Sequence, residues 1–319
     1  MSAPAHRMTE PTSLILFLTM ATAWGINYLF VVIGLQYATP LWLAALRAGV
    51  GAVGVFVYLL VVQHRSVLTG RDRRDAMLLG LPNTAIFLGL WFVAASQVPA
   101  GETAIVIYTF PLWVALLSPW VLGQRLTSRH WASVAIGFSG IVLISQPWAI
   151  GAGAVSPVAL TELLAAAISW AIGTVLYQRR FHGSLEMREA NFFQLTGGAL
   201  ALLAAALLVD PTTLPQPTAG LGLSILWIGV IGTAYAYSAW FYLLARVPAA
   251  TLSAYTFLVP LIALVAASLF FGERFTYAEV AGMGLVLVSI YGIGTARSRP
   301  PVAKPAPGPA SPAQSPPAS

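Results

Sequence analysis

Part of the chain recurs further along, in a register of 149 residues. Between Trp91 and Thr127, ten of the 37 positions carry the same residue as the position 149 places later, without a gap. In a soluble chain such duplication is typical of a solenoid or propeller, whereas in an apolar chain it is typical of two membrane-embedded halves with a site between them. The identical pairs are Trp91-Phe92 and Trp240-Phe241, Val98-Pro99-Ala100 and Val247-Pro248-Ala249, Pro111-Leu112 and Pro260-Leu261, and Gly123, Arg125 and Thr127 with Gly272, Arg274 and Thr276.

The composition favours the membrane alternative. Of the 319 residues, 58% are hydrophobic and only 8% are charged, with a mean hydropathy of +0.80. Soluble domains carry about 25% charged residues, so a bilayer must act as the solvent here. The chain has no cysteine, which excludes disulfides and thiolate metal sites. No cleavage motif follows residues 1–10, so we expect a first membrane helix rather than a removed signal peptide.

Ten apolar segments are long enough to cross a hydrocarbon core of about 30 Å, which needs about 20 residues per helix. The sequence thus predicts an all-α membrane protein of ten transmembrane helices, in which short connections make neighbours antiparallel. Residues 12–147 are the first five-helix repeat, 157–296 the second, 1–11 a cytoplasmic tail, and 297–319 a Pro/Ala-rich cytoplasmic tail expected to be disordered. The segments are 12–35, 40–62, 75–96, 100–122, 130–147, 157–178, 189–209, 220–244, 249–271 and 277–296.

The distribution of positive charge orients these helices. Fourteen cations lie on one side of a ten-helix arrangement, Arg274 alone lies on the other, and Arg47 lies inside the second helix. The positive-inside rule then places both termini in the cytoplasm. It also accounts for the net charge of +6, which therefore does not indicate a surface that binds nucleic acid. Because each repeat has an odd number of helices, the second must be inverted. Accordingly, Gln97 and Arg246 are equivalent, and only the one in a cytoplasmic loop is charged. The fourteen cations are Arg7, Arg65, Arg71, Arg73, Arg74, Arg125, Arg129, Arg179, Arg180, Arg188, Arg246, Arg297, Arg299 and Lys304.

Equivalent residues in the middle of helices 1 and 6 predict a site between the repeats. Trp24 and Asn27 are three residues apart and hence share a helix face, and an offset of 146 pairs them with Trp170 and Gly173. An amide in hydrocarbon is costly unless it finds a partner or water, so we expect Asn27 to face the interior. Whether it bonds substrate or a neighbouring helix is open.

Helices 3, 4, 8 and 9 carry residues that weaken the helical hydrogen-bond ladder. Pro82-Asn83 in helix 3 and Gly232 in helix 8 are such points, and Pro111 and Pro260 occupy matching positions in helices 4 and 9. The two prolines are predicted to form kinks that act as hinges or shape a cavity. The alternative is that proline is simply tolerated in membrane helices.

Deep aromatic residues are predicted to form the wall of this cavity. An aromatic wall with few polar groups suits a small amphipathic organic molecule, although lipid contact or core packing is the alternative for each residue. No catalytic residue, metal site or cofactor is predicted. The predicted substrate-binding residues are Trp24, Asn27, Tyr28, Asn83, Phe87, Trp91, Tyr108, Trp170, Tyr235, Trp240 and Tyr255.

Three charged residues leave alternatives open. Arg47, about two turns into helix 2, is either a functional cation or an anchor that snorkels outward or bonds to helix-end carbonyls. Glu102 and Glu162 begin helices 4 and 6, where a carboxylate favours the positive helix end, and proton coupling is the alternative. The four histidines fall in predicted cytoplasmic loops or tails, away from a central site.

Five short motifs point to a family. They are Ala23-Trp24-Gly25-Ile26-Asn27-Tyr28, Pro40 with Leu46-Arg47, Pro99-Ala100, Pro111, and Gly272-Glu273. With these motifs the chain resembles, over about residues 12–296, the EamA-type branch of the drug/metabolite transporter superfamily. The resemblance implies a central cavity built from helices 1, 3, 4, 6, 8 and 9, with alternating access by rocking of helix groups. The second repeat departs from the pattern at Ala171 and Gly173.

The resemblance implies transport. The family includes exporters of amino acids and metabolites, and related branches carry nucleotide-sugars or phosphorylated sugars. We expect a multi-pass protein of a bacterial inner membrane that exports small amphipathic metabolites, chiefly amino acids and by hypothesis aromatic ones, as a monomer or weak homo-oligomer in the lipid bilayer. One alternative is a multidrug exporter, which usually needs a membrane carboxylate. Another is a nucleotide-sugar or phosphometabolite antiporter, which needs several cations in the cavity. A membrane enzyme is least favoured.

Overall fold

The computed structural model describes residues 8, 10–62, 66–98, 100–124, 126–146, 148, 156–271 and 276–295. All regular structure in these residues is helical, as the sequence predicts. The predicted C-terminal tail lies outside the described part of the chain, as do the motif residues Pro99, Gly272 and Glu273 and the side chain of Glu102.

The described residues of the two halves form the same order of helices. In each half the third long segment contains a π-helical stretch and the fourth segment is split in two. The first half has α1 (Pro11–Leu35), α2 (Pro40–Val62), α3 (Gly70–Gly80), a π-helix (Leu81–Ile86), α4 (Phe87–Ala95), α5 (Ala100–Ile107), α6 (Phe110–Leu122) and α7 (Ser128–Ser145). The second has α8 (Pro157–Arg180), α9 (Ser184–Val209), α10 (Ala219–Ile225), a π-helix (Leu226–Tyr235), α11 (Ala236–Leu244), α12 (Ala249–Tyr255), α13 (Leu258–Phe271) and α14 (Tyr277–Thr295).

Several helices begin where the sequence supplies a start signal. Pro11, Pro40 and Pro157 open α1, α2 and α8, because the first turn of a helix does not use the N–H that proline lacks. At α3 the Thr69 hydroxyl accepts from the Asp72 backbone N–H at 3.3 Å, and the Asp72 carboxylate accepts from the Thr69 N–H at 2.9 Å. This reciprocal cap satisfies two N–H groups at the start of the helix.

Length and hydropathy identify the membrane-embedded part. Seven segments of the described chain are long and apolar enough to cross a bilayer, and two shorter apolar helices accompany them. The chain is therefore an all-helical, multi-pass membrane protein. The seven are Pro11–Leu35, Pro40–Val62, Gly70–Ala95, Pro157–Arg180, Ser184–Val209, Ala219–Leu244 and Ala249–Ala266, and the shorter two are Phe110–Leu122 and Tyr277–Ile293.

Helices of the two halves pack on one another in reciprocal pairs. In the first half α1 packs against α13 and the α10–α11 segment, and in the second its counterpart α8 packs against α6 and the α3–α4 segment. Likewise α2 packs on α9 and α7 on α14, so that each of these helices meets its own counterpart. Such an exchange is what an approximate twofold axis between two similar halves produces.

The helix interruptions fall at the residues that the sequence singles out. Pro82 lies in the first π-helical stretch and Gly232 in the second. The chain leaves helical order between α5 and α6, just before Pro111, and between α12 and α13, just before Pro260. Proline cannot donate to the carbonyl four residues earlier, which accounts for a break in each case. That either break acts as a hinge stays a prediction.

The α7–α14 pair lies outside the cavity described below. A Cβ atom on Gly140 would lie 2.8 Å from the Gly282 carbonyl oxygen, and one on Gly282 would lie 2.6 Å from the Gly140 carbonyl oxygen. The two backbones touch because both positions lack a side chain, which is the close contact that small residues permit between membrane helices.

Candidate functional site

A cavity of about 760 Å³ lies between the two halves. Its wall combines α1, α2, α4, α5 and α6 of the first half with α8, the second π-helix, α11 and α13 of the second half. These are the helices that the family resemblance implies, with α2 in addition. The volume falls within the range of small-molecule sites, roughly 300–1,000 Å³.

The cavity occupies one end of the helix bundle. Its lining residues lie in the later part of α1, the early part of α2 and the later part of the α3–α4 segment, which converge on the side of connection 36–39. We call this the cavity end. At the other end, the closed end, a buried cluster fills the space between the halves, and it includes Phe17, Tyr177, Trp240, Phe241 and Leu244.

An aromatic group separates the cavity from the closed end. The ring centroids of Trp24 and Trp170 are 6.2 Å apart, and Tyr237 lies 5.2 Å from Trp170. Trp240 lies beneath them, 5.7 Å from Trp24, and is fully buried. Trp24, Trp170 and Tyr237 face the cavity, whereas Trp240 does not. Edge-to-face contacts between these rings make the cavity floor a rigid apolar surface.

The cavity gathers seven of the eleven residues that the sequence predicts to bind substrate. Pro260 also lines it, whereas Pro111 is buried outside the wall. The seven are Trp24, Asn27, Tyr28, Phe87, Trp91, Tyr108 and Trp170.

The other four lie outside the wall. Trp240 is beneath the floor, and Tyr255 packs on Phe17 at a centroid distance of 5.8 Å near the closed end. Asn83 is fully buried against α8. Tyr235 lies on an exposed face of the second π-helix, where its hydroxyl pairs with that of Thr19. Their placement corrects the predicted wall, because depth in the membrane specifies neither which face of a helix meets the cavity nor which end of the bundle is open.

The wall also contains aromatic residues outside the predicted set. Phe30 and Trp227 stack on each other, with centroids 4.6 Å apart and planes 12° apart, and both line the cavity. Their repeat equivalents are Leu176 and Leu78, so neither belongs to a matched aromatic pair that the sequence could reveal. Tyr237 lines the cavity although its neighbour Tyr235 does not, because residues two apart on a helix face in nearly opposite directions.

Two amide side chains occupy exchanged positions in the two halves. The Asn27 side chain lies against Gly232 and the Asn83 side chain lies against Gly173, in each case so closely that a Cβ on the glycine would collide with the amide oxygen. Asn27 and Gly173 are repeat equivalents, and so are Gly232 and Asn83. Gly173 is therefore not a lost amide in the second repeat. It makes room for an amide that comes from the other helix of the crossing.

Arg47 is a buried cation in the cavity wall. Its Nε donates to the Thr233 hydroxyl at 2.8 Å and its Nη2 contacts the Gly232 carbonyl oxygen at 3.5 Å. The guanidinium also lies 5.3 Å from the Trp91 ring centroid and 5.6 Å from that of Phe92. Among the described residues no carboxylate forms an ion pair with it, and its Nη1 has no hydrogen-bond partner. Arg47 points into the protein rather than snorkelling outward.

Acidic residues do not join Arg47 in the described wall. Glu162 is half-buried in α8 but does not line the cavity. The side chain of Glu102 lies outside the described residues. The carboxylate that a multidrug exporter usually needs is therefore not found among the described lining residues.

The sequence matches the EamA-like transporter family twice, over residues 11–146 and over residues 158–295. The chain belongs to this family. The two matches cover the two structural halves, so each half corresponds to one copy of the family's domain, and the EamA chain is a membrane transporter built from two such copies.

Similar proteins carry transporter names. YvbV of Bacillus subtilis, an "Uncharacterized transporter", is 29% identical, and the match spans 90% of this chain and 92% of that protein. YedA of Escherichia coli K12, an "Uncharacterized inner membrane transporter", is 26% identical over 84% and 85%. A "Probable amino-acid metabolite efflux pump" of Salmonella typhimurium is 27% identical over 86% and 92%. A protein of known crystal structure shares the fold, with a TM-score of 0.73, 19% identity and coverage of 87% and 94%.

Proposed function

We propose that this EamA-type transporter exports small amphipathic metabolites from a bacterial cell, with amino acids as the substrate class and aromatic amino acids preferred. The observation that carries the proposal is the cavity of about 760 Å³, whose described wall is mostly apolar, rich in aromatic residues and provided with a few polar groups. Such a lining suits a molecule with one apolar part and one polar part. The efflux pump named above supports the same substrate class.

The proposed topology has ten crossings in two inverted repeats with both termini in the cytoplasm. Its support is the positive-inside distribution of arginine together with the reciprocal packing of the halves. In this orientation the cavity end faces outward and the closed end faces the cytoplasm. The inner membrane is the proposed location because YedA bears that designation. We further propose function as a monomer or weak homo-oligomer, without nucleic acid or cofactor.

We propose that the seven predicted residues in the wall contact substrate in the outward-open state. Trp240 would join the site when the other end opens, because it is the repeat equivalent of the wall residue Trp91. Asn83 would join it as well, because the wall residue Asn27 packs against its repeat equivalent Gly232. Pro111 and Pro260 would serve as the hinges at the paired helix breaks. Tyr235 and Tyr255 have no such equivalent in the present wall.

Transport by the purified protein tests the proposal. Full-length protein in proteoliposomes should take up radiolabelled phenylalanine and tryptophan saturably and with higher apparent affinity than threonine. Protein-free liposomes give the background, and Trp24→Ala should lower uptake because it removes part of the cavity floor. Absence of saturable uptake for every amino acid would contradict the proposed substrate class.

A further inference from the structure

Gly232 has a cationic donor on one side and an amide acceptor on the other. The Arg47 Nη2 and the Trp24 Nε1 both point at the Gly232 carbonyl oxygen, at 3.5 and 3.1 Å. The Asn27 amide oxygen lies against the Gly232 α-carbon. Arg47, Asn27 and Trp24 all line the cavity. One glycine of the second π-helix is therefore where the cavity's main polar groups meet.

Both flanking groups have unused hydrogen-bonding capacity. Among the described residues the Nη1 of Arg47 has no acceptor and the Oδ1 of Asn27 has no donor, although both atoms are buried. Buried polar atoms are nearly always paired, so an orphaned donor and an orphaned acceptor in one cavity wall call for a ligand. A cation buried without an anion is costlier still, which makes an anionic ligand group the natural partner of Arg47.

Other unpaired groups in the wall are donors as well. The indole N–H groups of Trp91 and Trp227 and the Tyr237 hydroxyl have no partner among the described residues. Around Arg47 the wall thus offers N–H and O–H groups to an anion. Among the buried, unpaired side-chain atoms of the described lining residues, the Asn27 oxygen is the one that can only accept, which suits an ammonium group.

The backbone holds these groups in place before any ligand arrives. A Cβ atom on Gly229 would lie 2.7 Å from a Val50 methyl carbon, so α2 and the second π-helix touch just beside Arg47. The Thr233 hydroxyl, which accepts from Arg47, itself donates to the Ile228 carbonyl at 2.8 Å. Arg47 therefore sits in a rigid frame, and a ligand need not order it.

We propose that the α-amino-acid headgroup of the substrate binds at Gly232, with its carboxylate on Arg47 and its ammonium on the Asn27 oxygen, while its side chain lies on the aromatic wall. This inference rests on the proposed amino-acid transport. It assigns Arg47 a function in recognition rather than only anchoring. It also explains why position 232 is glycine, since a side chain there would collide with Asn27 and fill the headgroup space.

A series of ligands that carry both charged groups, one of them or neither tests the proposal on the wild-type protein. Isothermal titration of the detergent-solubilised full chain would compare L-phenylalanine, 3-phenylpropionate, 2-phenylethylamine and 3-phenylpropan-1-ol. Each charged group held by a charge-assisted bond should contribute about tenfold or more in Kd. We expect phenylalanine to bind most tightly and the alcohol most weakly. Equal affinity for all four, or no binding of phenylalanine, would overturn the headgroup site.

Two variants separate the two contacts. Arg47→Gln should weaken the acid by about tenfold or more and leave the amine unchanged, whereas Asn27→Ala should weaken the amine and leave the acid unchanged. Arg246→Gln removes a cation at the closed end and is the matched control. Arg47→Lys keeps the charge and should preserve the preference for the acid over the alcohol, which provides the test if Arg47→Gln does not fold. An acid preference that survives Arg47→Gln contradicts the assignment.

The outcome is separable from that of the proposed function. Saturable uptake of amino acids with no loss in Arg47→Gln would leave the transport proposal intact and overturn the headgroup site. Tight, Arg47-dependent binding of 3-phenylpropionate without uptake of any amino acid would support the carboxylate contact, contradict amino-acid export and indicate an organic-acid substrate.

Discussion

Two helix crossings related by the approximate twofold axis share their packing and differ in their chemistry. Where α2 meets the second π-helix, Arg47 donates to the Thr233 hydroxyl at 2.8 Å. Where α9 meets the first π-helix, the Thr84 hydroxyl donates to Gln194 at 3.1 Å. The two threonines are 149 residues apart, and Gln194 follows Arg47 by 147 residues. A cation at one crossing therefore has a neutral amide as its counterpart at the other.

Glycines explain why the packing is common to both crossings. Gly51 lies against Thr233 and Gly198 lies against Thr84, and a Cβ on either glycine would collide with the threonine side chain. These glycines are also 147 residues apart. The glycine–threonine contact lets the helices approach closely in both halves. This close approach does not depend on the polar residue that bonds the threonine, so that residue can be Arg47 at one crossing and Gln194 at the other.

The position of the cavity explains why the chemistry differs. Both residues are buried, but Arg47 lines the cavity whereas Gln194 does not. The Gln194 amide also donates to Asn191 at 3.1 Å, so it needs no ligand. Duplication thus preserves the scaffold, and the polar residue at each crossing reflects whether that crossing lines the cavity.

The largest expected loss of stability distinguishes the two repeat-related tryptophans, Trp91 and Trp240. Trp240 is fully buried beneath the cavity floor, so Trp240→Ala should leave a void and cost about 3–5 kcal/mol of stability. Trp91 lines the cavity, so Trp91→Ala should mainly raise the KM for phenylalanine uptake. Thermal unfolding in detergent and proteoliposome uptake measure the two effects. Equal destabilisation by both substitutions would mean that the wall and the core do not differ here.

A second buried cation, placed where α9 crosses the first π-helix, should also strongly destabilise the folded protein. Gln194→Arg would bury a guanidinium without an anion or a cavity, at a cost of about 2.5–3.5 kcal/mol. The reverse change, Arg47→Gln, makes the crossings alike and should alter stability by under about 1.5 kcal/mol, since an amide can still bond Thr233. The melting temperatures of the two variants check this asymmetry, and a Gln194→Arg variant as stable as wild type would refute it.

Exchanging the amide at one crossing should have a smaller and reversible effect. Gly232→Asn places a second side chain against Asn27 and should cost about 1–3 kcal/mol through overpacking. Adding Asn27→Gly reproduces the arrangement of Asn83 and Gly173 and should recover most of that loss. A double-mutant cycle on unfolding gives the coupling energy, and additive losses would contradict the exchanged packing.

The repeat predicted much of this scaffold but not the side of the bundle that is open. Hydropathy and the 149-residue register predicted the all-helical architecture in two repeats, and the depth of Trp24 and Asn27 placed them near its centre. Trp91 and Trp240 are equivalent in sequence, yet only Trp91 lines the cavity. That difference depends on which end of the bundle is open, which a repeat leaves undetermined.

The polar contacts were predicted less well because they join helices distant in sequence. The sequence placed Asn27 in the interior but did not show that Gly232 is its neighbour, 205 positions later. It left two roles open for Arg47, whose contact with Thr233 depends on the crossing of α2 over the second π-helix. The sequence does contain one signal for these contacts, because Asn27 in one repeat is equivalent to a glycine in the other, and Gly232 is equivalent to an asparagine.

The smallest expected effect concerns the closed end. Arg180 at the end of α8 pairs with Asp72 and, at 2.9 Å, with Asp75 of α3. Its repeat equivalent at the cavity end is Gly34, so this ion pair has no counterpart there. The pair is partly exposed, and Arg180→Gln should change stability by about 1 kcal/mol or less.

The same substitution should nevertheless shift the balance between the two states. Because the α3–α8 ion pair forms while the closed end is shut, its loss should favour the opposite state by up to about fivefold, the equivalent of 1 kcal/mol. The chain has no cysteine, so Ala104→Cys in the cavity wall gives a single site for a maleimide added from outside. Labelling should slow in Arg180→Gln at low salt and differ less from wild type at 1 M salt, where the pair is screened. Unchanged labelling at low salt would show that apolar packing alone holds this end shut.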